Sequence, residues 1–140
     1  QVSPTSPMGM KSGTSPYGNI ARPLNPTTLA LAYGATFVAR TFSRERDMVS
    51  DLITRAIQHK GFSFIHDLSP CVVFNKDVTY GSVNSVTAQL PEEHDILDRS
   101  NAMSLAESTE PVYQGLFFQE EIPSFDDHVK QVKDGLNKSD

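Results

Sequence analysis

The sequence predicts an α/β fold with a parallel sheet, and it predicts that this sheet is incomplete within the chain. Segments rich in β-branched and aromatic residues, typical of strands, alternate with segments whose apolar residues recur at helical spacing. Strands separated by helices of this length pair in parallel through right-handed crossovers. Only three strands are predicted, which is few for such a sheet, so we expect neighbouring strands from outside the chain.

The predicted elements follow in order after an amino-terminal loop. The first helix starts at Asn25-Pro26, because Asn can cap a helix and Pro is tolerated in its first turn, and it ends at Gly34. Its apolar run over 29–33 predicts a buried helix. The later elements are a strand over 36–42, a helix capped by Ser43 and ending at Lys60-Gly61, a strand over 62–68, a helix from Asp98 through Glu107, a strand over 112–118, and a helix capped by Ser124 whose apolar face holds Phe125, Val129, Val132 and Leu136.

The 140 residues fit one domain with four parts. Residues 1–26 form a long loop that holds five of the nine prolines. This loop is either a flexible linker or an ordered functional loop, and its Met, Tyr and Ile residues favour the second. We expect a βα core over 27–75, an irregular polar segment over 76–97 and a terminal αβα unit over 98–140.

Composition excludes several functional classes. The net charge is −5, with 12 Lys and Arg residues that form no basic stripe, which argues against nucleic-acid binding. We find no apolar run of about 18 residues and therefore expect no membrane span. A single cysteine and no secretory leader favour the cytoplasm. The beginning of the chain, Gln1-Val2-Ser3-Pro4, is typical of an internal segment of a longer polypeptide.

Ser69-Pro70-Cys71 directly follows the second predicted strand. Open parallel sheets bind ligands beyond the carboxyl ends of their strands, so Cys71 lies where a functional residue is expected. The alternative is a small buried hydrophobe, which is a common role of free cysteine. A nucleophilic cysteine requires a nearby base. His66 is five residues earlier and faces the other side of the strand, unless the chain turns at Pro70.

The four histidines show no metal-ligand spacing on one helix face. His59 ends a helix and is expected to be structural. His66 and Asp67 are predicted to form a polar pair at the sheet edge, and His94 to be solvated. Carboxylates adjacent in sequence do not face each other on a helix and indicate solvated surface. No glycine-rich phosphate loop or nucleophile elbow is present.

Several stretches resemble the beta subunit of 2-oxoacid:ferredoxin oxidoreductases. The resemblance is dense from residue 1 to about 75, looser over 98–118 and poor over 76–94. Several motifs occur in the family's order, which makes the resemblance specific, and it implies a parallel-sheet thiamine diphosphate-binding fold of which this chain is the carboxyl-terminal part. The matching stretches are Gln1–Thr5, Thr14–Ile20, Leu29–Arg40, Gly61-Phe62, Leu68–Val72 and Phe74-Asn75.

The resemblance implies an enzyme that is inactive without its other parts. With an alpha subunit, the family oxidatively decarboxylates a 2-oxoacid in the presence of coenzyme A and passes the electrons to ferredoxin. The chain resembles the two-subunit 2-oxoglutarate type of the family more than the pyruvate type, which favours 2-oxoglutarate as the substrate. The implied cofactors are thiamine diphosphate, Mg²⁺ and a [4Fe–4S] cluster. The resemblance makes Cys71 one of four cluster ligands and places Gln1, Ser3 and Thr5 beside thiamine diphosphate, with the other ligands in the amino-terminal part of the subunit.

Two other functions stay open at this point. One is a non-oxidative thiamine diphosphate enzyme, which shares the cofactor fold. The other is a non-catalytic interaction module, which would bind neither cluster nor thiamine even beside its amino-terminal half. The Ser-Pro-Cys motif favours the oxidoreductase, because a cluster ligand has no purpose in a non-redox enzyme.

Overall fold

The computed structural model describes residues 2–71, 73 and 78–136. Gln1, Val72, Phe74 and Asn75 of the motifs above lie outside these residues. No helix in the described part of the chain is long and apolar enough to cross a membrane. The elements are, in chain order, α1 (Pro26–Ala32), β1 (Phe37–Phe42), α2 (Arg46–Gln58), β2 (Ser63–Leu68), α3 (Tyr80–Val86), β3 (Thr87–Gln89), α4 (Arg99–Glu107), β4 (Val112–Gln119) and α5 (Phe125–Leu136).

The four strands form one mostly parallel sheet in the order β2-β1-β4-β3. β1 pairs with β2 in parallel, as predicted, and β3 pairs with β4 in parallel. β1 and β4 are antiparallel, so the prediction of parallel pairing was wrong for this pair. The crossover rule applies to strands joined by one helix, and several elements separate β1 from β4 in the chain.

The segment expected to be irregular contains α3 and β3, so that prediction was wrong where the structure describes it. Thr79 Oγ1 accepts from the Ser82 amide at 3.2 Å, and Ser82 Oγ accepts from the Thr79 amide at 2.9 Å, which together form a capping box. Seven polar-rich residues are too few to show a helical period. β3 has three residues and forms because β4 pairs with it, which is a tertiary effect.

The sheet separates two apolar clusters. Every residue of β1 is buried, and successive residues alternate between the two faces. Val38 packs on the side of α1 and α4, while Phe37 and Ala39 pack with Leu52 of α2 on the other side. The core therefore consists of β1 with helices on both faces, and β2 lies at an edge of the sheet.

One helix prediction is confirmed and two need correction. Asn25 caps α1 as predicted, since its side chain accepts from the amides of Thr27 and Thr28. α1 is only half covered, however, because Leu29 is 43% exposed and Tyr33, which follows the helix, is 86% exposed. Ser43 does not cap α2, because the chain makes a further turn and Glu45 occupies the cap position without a side-chain bond.

α5 begins after Ser124, whose Oγ accepts from the Asp127 amide at 3.3 Å. The Asp127 carboxylate also forms an ion pair with Lys60 at 2.7 Å, which connects the helix to the turn that follows α2. The apolar face predicted from the sequence is largely exposed, with Phe125, Val132 and Leu136 each more than half accessible.

Candidate functional site

A groove of about 840 Å³ lies beyond the carboxyl end of β2. The residues 2–7 of the amino-terminal loop line one wall, and Ser69, Pro70 and Cys71 line another. Val83 and Val86 of α3 add an apolar side. This is the position at which an open parallel sheet binds ligands.

The groove brings together three of the four site residues that the resemblance implies. Ser3 and Thr5 lie on the loop wall, and Cys71 lies on the wall that follows β2. Gln1 lies outside the described residues.

The amino-terminal loop is held by its own hydrogen bonds. The Ser6 amide donates to the Ser3 carbonyl at 3.0 Å, and the Leu24 amide donates to the Pro4 carbonyl at 2.8 Å. Asn19 Nδ2 donates to the Ser6 carbonyl at 2.8 Å. These bonds fix the loop against the segment that leads into α1, so its hydroxyl groups have defined positions.

Three hydroxyl groups form a cluster on this loop. Ser3 Oγ lies 2.9 Å from Thr5 Oγ1 and 3.1 Å from Ser6 Oγ, and Ser6 Oγ accepts from the Ser3 amide at 2.8 Å. Ser6 is buried, whereas Ser3 and Thr5 are exposed to the groove. Hydroxyls both donate and accept, so this cluster fits the oxygens of a diphosphate group or the water shell of its metal.

Cys71 is an exposed free thiol. The alternative of a small buried hydrophobe is therefore wrong, since the chain has left the sheet before this residue. A thiolate is the ordinary ligand of an iron–sulfur cluster, which takes four of them. The chain has one cysteine, and no group of three potential ligands gathers among the described residues. Cys71 thus fits one ligand position, and the other positions require ligands from elsewhere.

His66 also lines the groove. The strand ends at Leu68, so the alternation that would send His66 and Cys71 to opposite sides no longer applies at Pro70. The predicted pairing of His66 with Asp67 was wrong, because adjacent strand residues face opposite sides. His66 Nδ1 lies 3.3 Å from Thr27 Oγ1, while Asp67 accepts from Thr41 Oγ1 at 2.7 Å.

Arg40 lies behind His66, and the sequence analysis missed it. The guanidinium is buried in the middle of β1 and its Cζ atom lies 5.2 Å from the centre of the Phe117 ring. Arg40 and His66 are partners in the β1–β2 register and share a face of the sheet. The available signal was a single charged residue inside the apolar strand run Phe-Val-Ala-Arg-Thr-Phe.

Burial changes the pKa of both groups. Desolvation lowers the pKa of Arg40 to about 10, so the guanidinium stays charged at neutral pH. Burial also lowers the pKa of His66, and the positive charge of Arg40 lowers it further, while the charge of Asp67 acts in the opposite direction. The imidazole is therefore held in its neutral form more firmly than that of a solvated histidine.

The other histidines with a described contact serve the fold. His59 follows α2 as expected, and its Nε2 lies 2.8 Å from Thr36 Oγ1. His94 was expected to be solvated, but its Nε2 lies 2.8 Å from the Phe117 carbonyl and it is half-buried against β4. The turn that precedes α4 therefore packs against β4. The charged residues next to His94 in the sequence give no sign of this long-range contact.

Two family models match this chain in succession. Residues 1–66 match the model of the C-terminal TPP binding domain of thiamine pyrophosphate enzymes. Residues 71–134 match the model of the C-terminal region of the pyruvate ferredoxin oxidoreductase beta subunit. The two matches meet between residues 66 and 71, which is where the chain passes through the groove.

Named relatives agree with both models. The 2-oxoglutarate synthase subunit KorB of Methanocaldococcus jannaschii is 32% identical over 97% of this chain and 51% of its own length. The 2-oxoacid:ferredoxin oxidoreductase subunit beta of Sulfolobus sp is 32% identical over 93% of this chain and 47% of its own length. The chain therefore spans about half the length of the curated relatives it matches.

A solved structure has the same fold. The 2-oxoglutarate:ferredoxin oxidoreductase from Magnetococcus marinus, with 2-oxoglutarate, coenzyme A and succinyl-CoA bound, superimposes with a TM-score of 0.93 at 34% identity. The superposition covers 98% of this chain and 47% of that one. The chain belongs to the family of 2-oxoacid:ferredoxin oxidoreductase beta subunits, whose carboxyl-terminal part it matches.

Proposed function

We propose that this chain is the carboxyl-terminal part of a beta subunit that, with an alpha subunit, oxidatively decarboxylates a 2-oxoacid in the presence of coenzyme A and passes the electrons to ferredoxin. One observation carries the proposal. The groove joins Ser3 and Thr5, from the segment that matches thiamine enzymes, to Cys71, from the segment that matches the oxidoreductase model. A thiamine site and a redox site side by side are what this reaction requires.

In the proposed enzyme, thiamine diphosphate with Mg²⁺ supplies the decarboxylation chemistry and the [4Fe–4S] cluster accepts the electrons. Cys71 holds one corner of the cluster. Ser3 and Thr5, together with Gln1, contact the thiamine diphosphate side. The amino-terminal part of the subunit supplies the remaining thiolates and the Mg²⁺ ligands.

The proposed substrate is 2-oxoglutarate, with pyruvate as the alternative. Relatives named as 2-oxoglutarate enzymes support the first, among them the 2-oxoglutarate oxidoreductase subunit KorB of Mycobacterium tuberculosis at 34% identity. The name of the second family model keeps pyruvate open. We expect the groups that select the oxoacid to lie outside this chain.

The exposed thiol supports this proposal over both alternatives. A non-oxidative thiamine enzyme has no use for a thiol that faces the cofactor groove, and a non-catalytic module has no use for the groove itself. The net charge of −5 also argues against nucleic-acid binding.

Iron analysis of a Cys71→Ala variant tests the proposal. The variant is produced together with the amino-terminal part and the alpha subunit. We expect the wild-type complex to be brown and the variant to lose iron and visible absorbance, because a cluster without its fourth thiolate is unstable.

Ser69→Ala is the matched control, since Ser69 is exposed on the same wall of the groove two residues earlier. It should retain full iron. Full iron content in the Cys71→Ala complex would show that the ligand assignment is wrong.

A further inference from the structure

The partners of Arg40 are unusual for a buried cation. Its guanidinium donates to the carbonyl of Tyr113 at 3.1 Å and to that of Ala106 at 3.1 Å. It also donates to Asn25 Oδ1 at 3.2 Å and to Thr27 Oγ1 at 3.2 Å. All four acceptors are neutral oxygens, so among the described partners no carboxylate cancels the charge. The positive charge of Arg40 is therefore not cancelled locally, and it opposes protonation of the neighbouring His66.

The hydrogen bond from Arg40 to Thr27 determines the direction of the hydrogen bond between Thr27 and His66. Arginine can only donate, so Thr27 Oγ1 is the acceptor from Arg40 Nε. Thr27 is fully buried, and its hydroxyl proton requires an acceptor of its own. Among the described residues, His66 Nδ1 at 3.3 Å is that acceptor. Thr27 therefore donates to His66, and Nδ1 carries no proton.

A neutral imidazole that accepts at Nδ1 carries its proton on Nε2. The opposite arrangement would leave the buried Thr27 proton without a partner, and a charged imidazole is opposed by burial and by Arg40. Nε2 makes no hydrogen bond to a described residue, and His66 lines the groove with Cys71. The chain Arg40–Thr27–His66 thus ends in an N–H donor on the groove side.

We propose that His66 donates its Nε2–H to an anionic sulfur bound in the groove beside Cys71, and that Thr27 and Arg40 are positioning residues that set its tautomer. This inference rests on the proposed function, which supplies the sulfur as the Cys71 thiolate and the sulfides of its cluster. Neither the family models nor the relatives' names assign a role to His66.

The consequence concerns electron transfer. A hydrogen bond to a cluster sulfur stabilises the more negative, reduced state and raises the reduction potential. Removing the donor should lower the potential without removing the cluster, because the thiolate ligands stay in place.

The first test measures the cluster potential in the complete complex by EPR-monitored redox titration. His66→Leu removes the donor and should lower the potential at unchanged iron content. His66→Gln keeps an N–H near the position of Nε2 and should restore a value close to that of the wild type. An unchanged potential in iron-replete His66→Leu would overturn the inference.

The second test reads the tautomer by solid-state NMR of the complex labelled with [¹⁵N]histidine, with the His66 signals identified by their absence in His66→Gln. The wild type should show a bare Nδ1 and a protonated Nε2. Thr27→Val should shift this balance, and Thr27→Ser should restore it.

Thr36→Val is the matched control for the second test, because Thr36 is a buried threonine that also contacts a histidine. It should leave the His66 signals unchanged. A Thr27→Val complex whose His66 stays in the Nε2–H form would contradict the role of Thr27. The two proposals also fail separately. Full iron in Cys71→Ala overturns the ligand assignment on which the proposed function depends, whereas the tautomer measurement judges whether Thr27 and Arg40 position His66.

Discussion

Near each of two opposite ends of the β1–β2 pair, a buried threonine contacts a histidine. At the amino-terminal end of β1, Thr36 Oγ1 contacts His59 Nε2 and both the amide and carbonyl of Phe62, at 2.8 to 3.3 Å. Near the carboxyl end of β2, Thr27 Oγ1 contacts His66 and Arg40. The Thr36–His59 pair lies at the connection between α2 and β2. The Thr27–His66 pair lies between the buried guanidinium of Arg40 and the groove.

The same two residue types therefore have different roles because of their surroundings. His59 packs its ring 5.5 Å from the Phe37 ring and serves the turn before β2. His66 lies between the buried guanidinium of Arg40 and the groove. Parallel strands bind ligands at their carboxyl ends, so the direction of the strands decides which pair can reach a ligand.

The largest effect on stability is expected at Arg40, whose hydrogen bonds join β1 to α1, α4 and β4. Arg40→Ala removes four hydrogen bonds and leaves a cavity, and it should lower the free energy of unfolding by about 4 kcal/mol. Chemical denaturation measures the change. Arg44→Ala, at an exposed arginine just after β1, should change it by less than about 0.5 kcal/mol. Equal losses in the two variants would show that the buried network contributes little.

An intermediate effect is expected at the opposite end, where Gly61 approaches Thr36. Gly61 has φ +146°, and an added Cβ would overlap Thr36 Oγ1 and lie 3.0 Å from His59 Nε2. Gly61→Ala should cost about 3 kcal/mol of unfolding free energy, from backbone strain and from displacement of the Thr36–His59 pair.

Gly34→Ala separates these two causes. Gly34 also has a positive φ, +83°, but an added Cβ would meet nothing within 4 Å. It should cost about 1 kcal/mol, from the backbone alone. If denaturation gives the same loss for both variants, contact with Thr36 adds nothing to the cost at Gly61.

The smallest effect is a pH dependence at His66. Its pKa is lowered in the folded state, so below the ordinary value of 6.5 the unfolded chain binds a proton that the folded chain does not. Stability from the neutral imidazole is thus complete above pH 6.5 and is lost as the pH falls through the folded pKa. Denaturation at several pH values should show a steeper loss below pH 6.5 for the wild type than for His66→Gln. Parallel pH profiles would contradict this.

The sequence predicted much of the architecture because that part depends on local signals. Asn25 and Asp98 mark the starts of two helices by capping, and the β-branched and aromatic residues of β1 mark a strand by propensity. The antiparallel β1–β4 pair and the three-residue β3 could not be predicted, because both depend on contacts between distant segments.

The candidate site divides in the same way. Ser3, Thr5 and Cys71 were found through short motifs, and the structure brings them into one groove. Arg40 and Thr27 were missed because their roles depend on hydrogen bonds across elements, which leave no spacing signal in the sequence. The single charge in an apolar strand was the available sign.

The hydrogen bonds of Arg40 connect the two segments that match different family models. Arg40 and Thr27 belong to the thiamine-enzyme segment, while Ala106 and Tyr113 belong to the oxidoreductase segment. A displacement of α4 or β4 would therefore change the geometry at Arg40 and reach His66 through Thr27. The position of His66 in the groove therefore depends on residues of both segments, although Arg40, Thr27 and His66 all belong to the first.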